Sequence, residues 1–205
     1  MPALTDDVPG ELIQKLGEDG ARRVKVWLDS TTRVTSTWSV YDRFGADRLM
    51  YPWPEGGKSY SYDIGGLFFG GDLHQQSFLV ECKKYSNPNQ GGAFDKFLAQ
   101  SYVTLKNYPQ LADHFLWVTW HPFRQTSWND LASEKNIRSA LVTEKSRIFG
   151  DITDDEALNS LDASIVADLV DRVWVIVLSD KQETLVISRE DRADLMRIRV
   201  LKEGQ

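Results

Sequence analysis

The seven residues from His114 to Trp120 (HFLWVTW) form a near-continuous apolar run of strand length. A strand without polar alternation needs cover on both faces, so this run predicts a strand buried inside a layered domain. Upstream, SFLVECKKY (77–85) reads as another strand. Between the two, a helix is predicted from Ala93 to about Lys106, because Phe94, Phe97, Leu98, Ser101, Tyr102 and Leu105 share one face. Pro109 marks its end. The order strand, helix, strand predicts an α/β fold with a central mixed β-sheet flanked by helices.

The remaining segments fit around that unit. Glu11 to Leu28 reads as helical, with Leu12, Ile13, Leu16, Val24, Trp27 and Leu28 near 3.6-residue spacing, although Gly17 and Gly20 weaken the middle and leave two short helices as an alternative. Thr32 to Tyr41 reads as a strand, and Tyr51 to Lys58, with two prolines and Gly56-Gly57, as a loop. SYSYDIGGLFF (59–69) and SFLVECKKY, joined by GGDLHQQ, predict an antiparallel hairpin carrying Asp63 on its first strand and Glu81 on its second. Asn87 to Gly92 reads as a loop and Trp128 to Ala140 as a helix. Thr153 with Glu156 makes a capping box that opens a helix burying Leu158, Leu161, Ile165 and Leu169. Val173–Leu178 and Thr184–Ser188 predict a second hairpin, and beyond Asp191 helix and frayed tail are equally open.

The 205 residues show no repeat or linker and are read as a single domain, with a core over about 11–122 and a helical and hairpin elaboration over about 123–205. Met1 is followed by Pro2, Asp6 and Asp7, so no secretory leader is expected, and no apolar stretch approaches the roughly 20 residues that a bilayer needs. The lone Cys82 excludes an internal disulfide and a cysteine-rich zinc site. A cytoplasmic protein without a membrane partner is the expectation. The net charge of −6 argues against strong phosphate affinity, yet it is unevenly spread. From Gly150 to Val175 seven acids face Arg172 alone, whereas from Glu81 to Lys106 four lysines face two acids. Tight nucleic-acid binding would then call for a homodimer or a partner protein.

Residues two apart on a strand project together, so VECKK places Glu81 and Lys83 on one surface and Cys82 on the other. Hairpin pairing brings Asp63 into the same neighbourhood. Two adjacent carboxylates repel unless a cation lies between them, and hard oxygen donors suit Mg²⁺ or Mn²⁺. Such a centre favours phosphodiester hydrolysis, with Lys83 either handling the attacking water or stabilising charge in the transition state. Asp72 is a weaker rival to Asp63, because GGDL reads as a turn.

YDIGGLFF followed by FLVECKKY resembles the D…(D/E)XK hairpin of the PD-(D/E)XK nuclease superfamily, the fold of many restriction enzymes, resolvases and defence nucleases. The resemblance covers about Ser59 to Tyr85 and extends through the following helix and strand to Pro122. It implies a restriction-endonuclease-like αβββαβ core, metal roles for Asp63 and Glu81, a catalytic role for Lys83, and the backbone carbonyl of Cys82 as a further metal ligand. Tyr62 stands where the superfamily often has proline. In the pattern GxxGExxVxxWL, matched here by Gly17, Gly20, Val24, Trp27 and Leu28, Ala21 replaces the glutamate, leaving Glu18 or Glu11 as substitutes.

Around this centre Lys84, Lys96 and Gln100 are candidate phosphate contacts, and Tyr60, Tyr62 and Tyr85 candidate base-stacking groups. Each competes with an ordinary structural role. His74, His114 and His121 lack metal spacing, and Trp117, Trp120 and Trp128 read as core. The expected activity is a Mg²⁺-dependent endonuclease with DNA favoured over RNA, serving restriction, repair or anti-phage defence. The alternative is a catalytically inactive nuclease-fold subunit that binds or assembles a larger complex.

Overall fold

The computed structural model of the chain describes residues 10–84 and 90–203. Helix α1 (Gly10–Ser30) leads into β1 (Val34–Ser39), a short α2 (Ala46–Leu49), and a small hairpin of β2 (Met50–Pro52) and β3 (Ser59–Ser61). Then come β4 (Ile64–Phe68), a 3₁₀ turn at Gly71–Leu73, β5 (Ser77–Lys83), α3 (Gln90–Asn107) and β6 (His114–Thr119). The chain continues through a 3₁₀ segment at Gln125–Asp130 into α4 (Glu134–Thr143), α5 (Lys145–Ile148), α6 (Asp154–Ser160) and α7 (Ala163–Arg172). It ends with β7 (Val173–Val177), α8 (Asp180–Glu183) and α9 (Arg189–Glu203).

A five-stranded mixed sheet ordered β1-β4-β5-β6-β7 forms the centre. β4 is antiparallel to both β1 and β5, whereas β5, β6 and β7 run parallel. Helices cover both faces. On one, α1 lays Ala21, Val24 and Leu28 against Ile64, Phe68, Phe78, Val80, Cys82, Leu116 and Val118. On the other, α3, α4 and α7 enclose Leu79, Phe115 and Trp117. The apolar run at 114–120 is thus explained, since alternate residues of β6 enter two separate cores. Among the described residues no helix is long and apolar enough to cross a membrane.

Gly17 and Gly20 do not interrupt α1. A β-carbon at Gly20 would lie 3.3 Å from Lys84 Cβ, so the helix rests directly on β5 there. The side chains of Glu11, Leu12 and Ile13 lie outside the described residues. Gly65 answers a similar need, because it pairs with Trp38 across β1 and β4 and a β-carbon would lie 2.6 Å from the indole Nε1. Gly65→Ala is expected to destabilise the fold by about 1–3 kcal/mol through overpacking, read as a lower midpoint in urea denaturation.

Several expectations are corrected. The strand predicted from Ser59 breaks, because the Tyr62 amide bonds to Leu49 while the Asp63 amide bonds to Val80. Asp63 therefore sits in a bend between two sheets and not on a strand. The predicted loop at 51–58 starts as β2, with Tyr51 and Trp53 buried. Helix α3 begins at Gln90, earlier than predicted. The helix expected beyond Thr153 is two helices: the capping box is present, but Asp162 caps a second start and Leu158 is exposed. The hairpin predicted over 173–188 does not form: among the described residues β7 pairs with β6 alone. Ser179 caps the turn of α8, whose Asp180 and Glu183 are held by Arg23, so the chain leaves the sheet and Leu185 is exposed. The stretch after Asp191 belongs to helix α9.

Candidate active site

Sheet geometry brings Asp63, Glu81 and Lys83 to one place. β5 sends Val80 and Cys82 into the α1-side core, so Glu81 and Lys83 project together on the α3 side, and Lys83 Nζ donates to Glu81 Oε1 at 2.7 Å. Asp63 enters from the bend before β4, where its Oδ2 accepts the Cys82 amide at 2.7 Å. That bond has a further consequence. The amide and carbonyl of one strand residue point to the same edge, so the Cys82 carbonyl faces the edge from which Asp63 approaches.

The electrostatics of Asp63 follow from this crowding. Burial, and next the charge of Glu81, push its carboxyl up to about 7 against the opposing pull of Lys83, the Cys82 amide and the Tyr41 hydroxyl. The Cys82 thiol is also raised, first by burial and then by Asp63 and Glu81, which suits a core residue and not a nucleophile. Two neighbouring carboxyl groups, beside a carbonyl oxygen, form an all-oxygen donor set that fits a hard divalent cation.

Tyr41 is the functional neighbour that sequence reasoning missed. It follows β1 and its hydroxyl lies within electrostatic reach of Asp63, so that burial followed by the charge of Asp63 raises its own pKa. Gly17 makes room for it, since a β-carbon there would lie 2.5 Å from Tyr41 Oη. The sequence carried only one hint, the glycine inside an otherwise helical stretch.

Other candidates fall elsewhere. Ala21, in the place of the pattern's glutamate, is buried against the sheet, while Glu18 is exposed beside the sheet-facing stripe of α1. Among the described residues no three His, Cys, Asp or Glu side chains converge as a metal-ligating group, so Glu18 does not complete one with Asp63 and Glu81. Lys84 turns to the α1 side and pairs with Asp19, away from Glu81. Gln100 is not on a solvated face: it is only 3% exposed, because α4 and α7 cover the outer side of α3. Tyr60 and Tyr62 are core residues whose hydroxyls both bond to Thr104, so neither ring can receive a base. Tyr85 lies outside the described residues.

Lys96 keeps an accessible position on α3 and senses the charges of Glu81 and Lys83, while the packing around it lowers its pKa. Asp72 is exposed in the 3₁₀ turn at the far end of β4 from Asp63. His74 accepts the Gly70 amide and His114 bonds to Gln76, so both have structural partners. Trp117 is fully buried and Trp120 donates to Glu183, but Trp128, expected in the core, is exposed.

Comparison of the chain with family models, with curated proteins and with solved structures returns no match.

Proposed function

We propose that the protein is a metal-dependent endonuclease of the PD-(D/E)XK type, acting on DNA in preference to RNA. The observation that carries this reading is the bond from the Cys82 amide to Asp63 between two outward residues of β5, Glu81 and Lys83. It gathers an acid from a bend, an acid from a strand and a lysine two residues on at one point. The succession of α1, β1, β4, β5, α3 and β6 supports it, because helix, three strands, helix, strand is the core order that this resemblance implies.

Asp63, Glu81 and the Cys82 carbonyl would hold Mg²⁺ or Mn²⁺. Such a cation supplies an activated water and neutralises charge on the scissile phosphate. Asp63 is held for that task by the Cys82 amide, with Tyr41 beside it, while in the resting protein Lys83 pairs with Glu81. The Lys83 ammonium, next to the carboxylate pair, orients the attacking water or meets the charge that builds on the phosphate oxygens. Supercoiled plasmid incubated with Mg²⁺ should be nicked and linearised, with activity abolished by EDTA. Equal cutting with and without EDTA would refute the proposal.

Tyr41→Phe should weaken Mn²⁺ binding by about 10–100-fold, since outer partners of metal-ligating groups commonly matter that much. Isothermal titration with Mn²⁺ checks this. An unchanged affinity would show that the hydroxyl does not position Asp63.

The second reading, an inactive binding or assembly subunit, draws on the lack of a third carboxylate among the described residues. It predicts no Mn²⁺ uptake at Asp63.

A further inference from the structure

A cleft of about 300 Å³ opens between the turn joining β2 to β3 and helix α5, with Lys96 of α3 in its lining. Three cations line it, Lys58, Lys96 and Arg147, together with Ser59 and Ser146. The framework is tied together. The Trp53 amide bonds to the Lys58 carbonyl at 2.9 Å, and the Glu55 amide bonds to the Arg147 carbonyl at 3.1 Å, joining the turn to α5. The Arg147 guanidinium lies over the Trp53 ring, 5.8 Å from its centroid.

Two carboxylates oppose these cations. Glu55 lines the cleft, and Glu144 accepts from Arg147 Nη1 at 2.6 Å. The balance remains positive, and a guanidinium has five N–H donors, so this bond to Glu144 leaves others for an anion. Lys96 connects the cleft to the centre described above, because its charge interacts with Glu81 and Lys83 as well as with Arg147 and Glu144. The indole is only 6% exposed, so the cleft offers no open aromatic face to a base.

We propose that this cleft is a phosphate subsite, in which Lys58, Lys96 and Arg147 grip the backbone of the nucleic-acid strand beside the phosphate that is cut. The proposal rests on the nuclease reading and extends it: contact to the backbone alone makes the grip indifferent to base sequence. The subsite is built from the small hairpin, α5 and Lys96 of α3, outside the bend and the strand that carry Asp63 and Glu81.

The test uses fluorescence anisotropy with labelled single-stranded and duplex oligodeoxynucleotides, in EDTA and in an Asp63→Asn background, so that neither cleavage nor metal intervenes. Lys58→Glu, on an exposed turn, and Arg147→Gln should each weaken binding about tenfold, the equivalent of one charge-assisted contact. They should also flatten the salt dependence for single strands by about 0.7 per cation removed, equally for unrelated sequences. Circular dichroism confirms that the variants are folded. Unchanged affinity and salt slope in both variants would overturn the subsite, even if the wild-type protein cuts DNA. Weakened binding in a protein that never cuts DNA would support the subsite and remove the nuclease reading. No binding by the parent protein would overturn the subsite as well.

Discussion

Replacing Lys83 with alanine is expected to slow Mg²⁺-dependent DNA cleavage by about 10²–10⁴-fold, the usual range for a positioned proton-transfer or charge-stabilising group. Mn²⁺ affinity should not fall with it. Lys83 donates to Glu81 at 2.7 Å, so in the resting protein it neutralises one of the two carboxylates. Its removal should leave Glu81 more available to a cation while taking away the ammonium proposed to serve the reaction. Single-turnover cleavage alongside calorimetric Mn²⁺ titration separates these effects. A parallel loss of rate and affinity would reassign Lys83 to holding Glu81 in place.

Asp63→Asn should have opposite effects on function and stability. Function is lost because one carboxylate of the donor set disappears. Stability of the metal-free protein should rise, and the sign follows from the raised pKa. The Asp63 carboxyl keeps its proton in the folded protein up to about pH 7, whereas an unfolded aspartate releases it near 3.9. Between these limits the folded state binds more protons, so stability declines as pH rises and the penalty is complete above about pH 7. A shift of that size corresponds to at most about 4 kcal/mol. With the solvent that still reaches Asp63 taken into account, a gain of about 2 kcal/mol is expected above neutrality and almost none below about pH 4. Asparagine can keep the Cys82 contact, since its carbonyl oxygen replaces Oδ2 as acceptor. Urea denaturation at several pH values, with EDTA present, reads the difference. A variant less stable than wild type at pH 8 would mean that Asp63 supports the fold and is not strained by it.

The parts of the fold that the sequence revealed are those governed by local chemistry. The unbroken apolar run of β6, the hairpin of β4 and β5, the Thr153 capping box and the face shared by Glu81 and Lys83 each follow from residues close together in the chain. What escaped depends on distant partners. The bend at Asp63 arises because Leu49 takes the amide of Tyr62, and nothing in SYSYDIGG announces that competitor. Gln100 reads as part of a polar helix face, but α4 and α7, far along the chain, close over it. The TLVIS segment has strand composition, yet Ser179 starts a helical turn and Arg23 holds that turn against α1. Tyr41 joins the candidate centre only because α1 and β1 pack together, and the glycine that permits this looked like a weakness in the helix.

The same distinction applies to charge. The acidic stretch after Gly150 supplies exposed first-turn carboxylates for α6 and the N-cap Asp162 of α7, as helix N-termini favour. Cations instead gather around Lys96, where Lys58 and Arg147 come from separate segments. A chain of net charge −6 can thus offer a local positive surface beside Glu81 and Lys83.

The most direct measurement is a Mn²⁺ titration followed by electron paramagnetic resonance, comparing wild-type protein with Asp63→Asn and Glu81→Gln. Sharing of one ion by the two carboxylates predicts a single site per wild-type chain, displaced by excess Mg²⁺ and missing from both variants. Wild-type protein that takes up no Mn²⁺, or variants that retain the same site, would contradict the account.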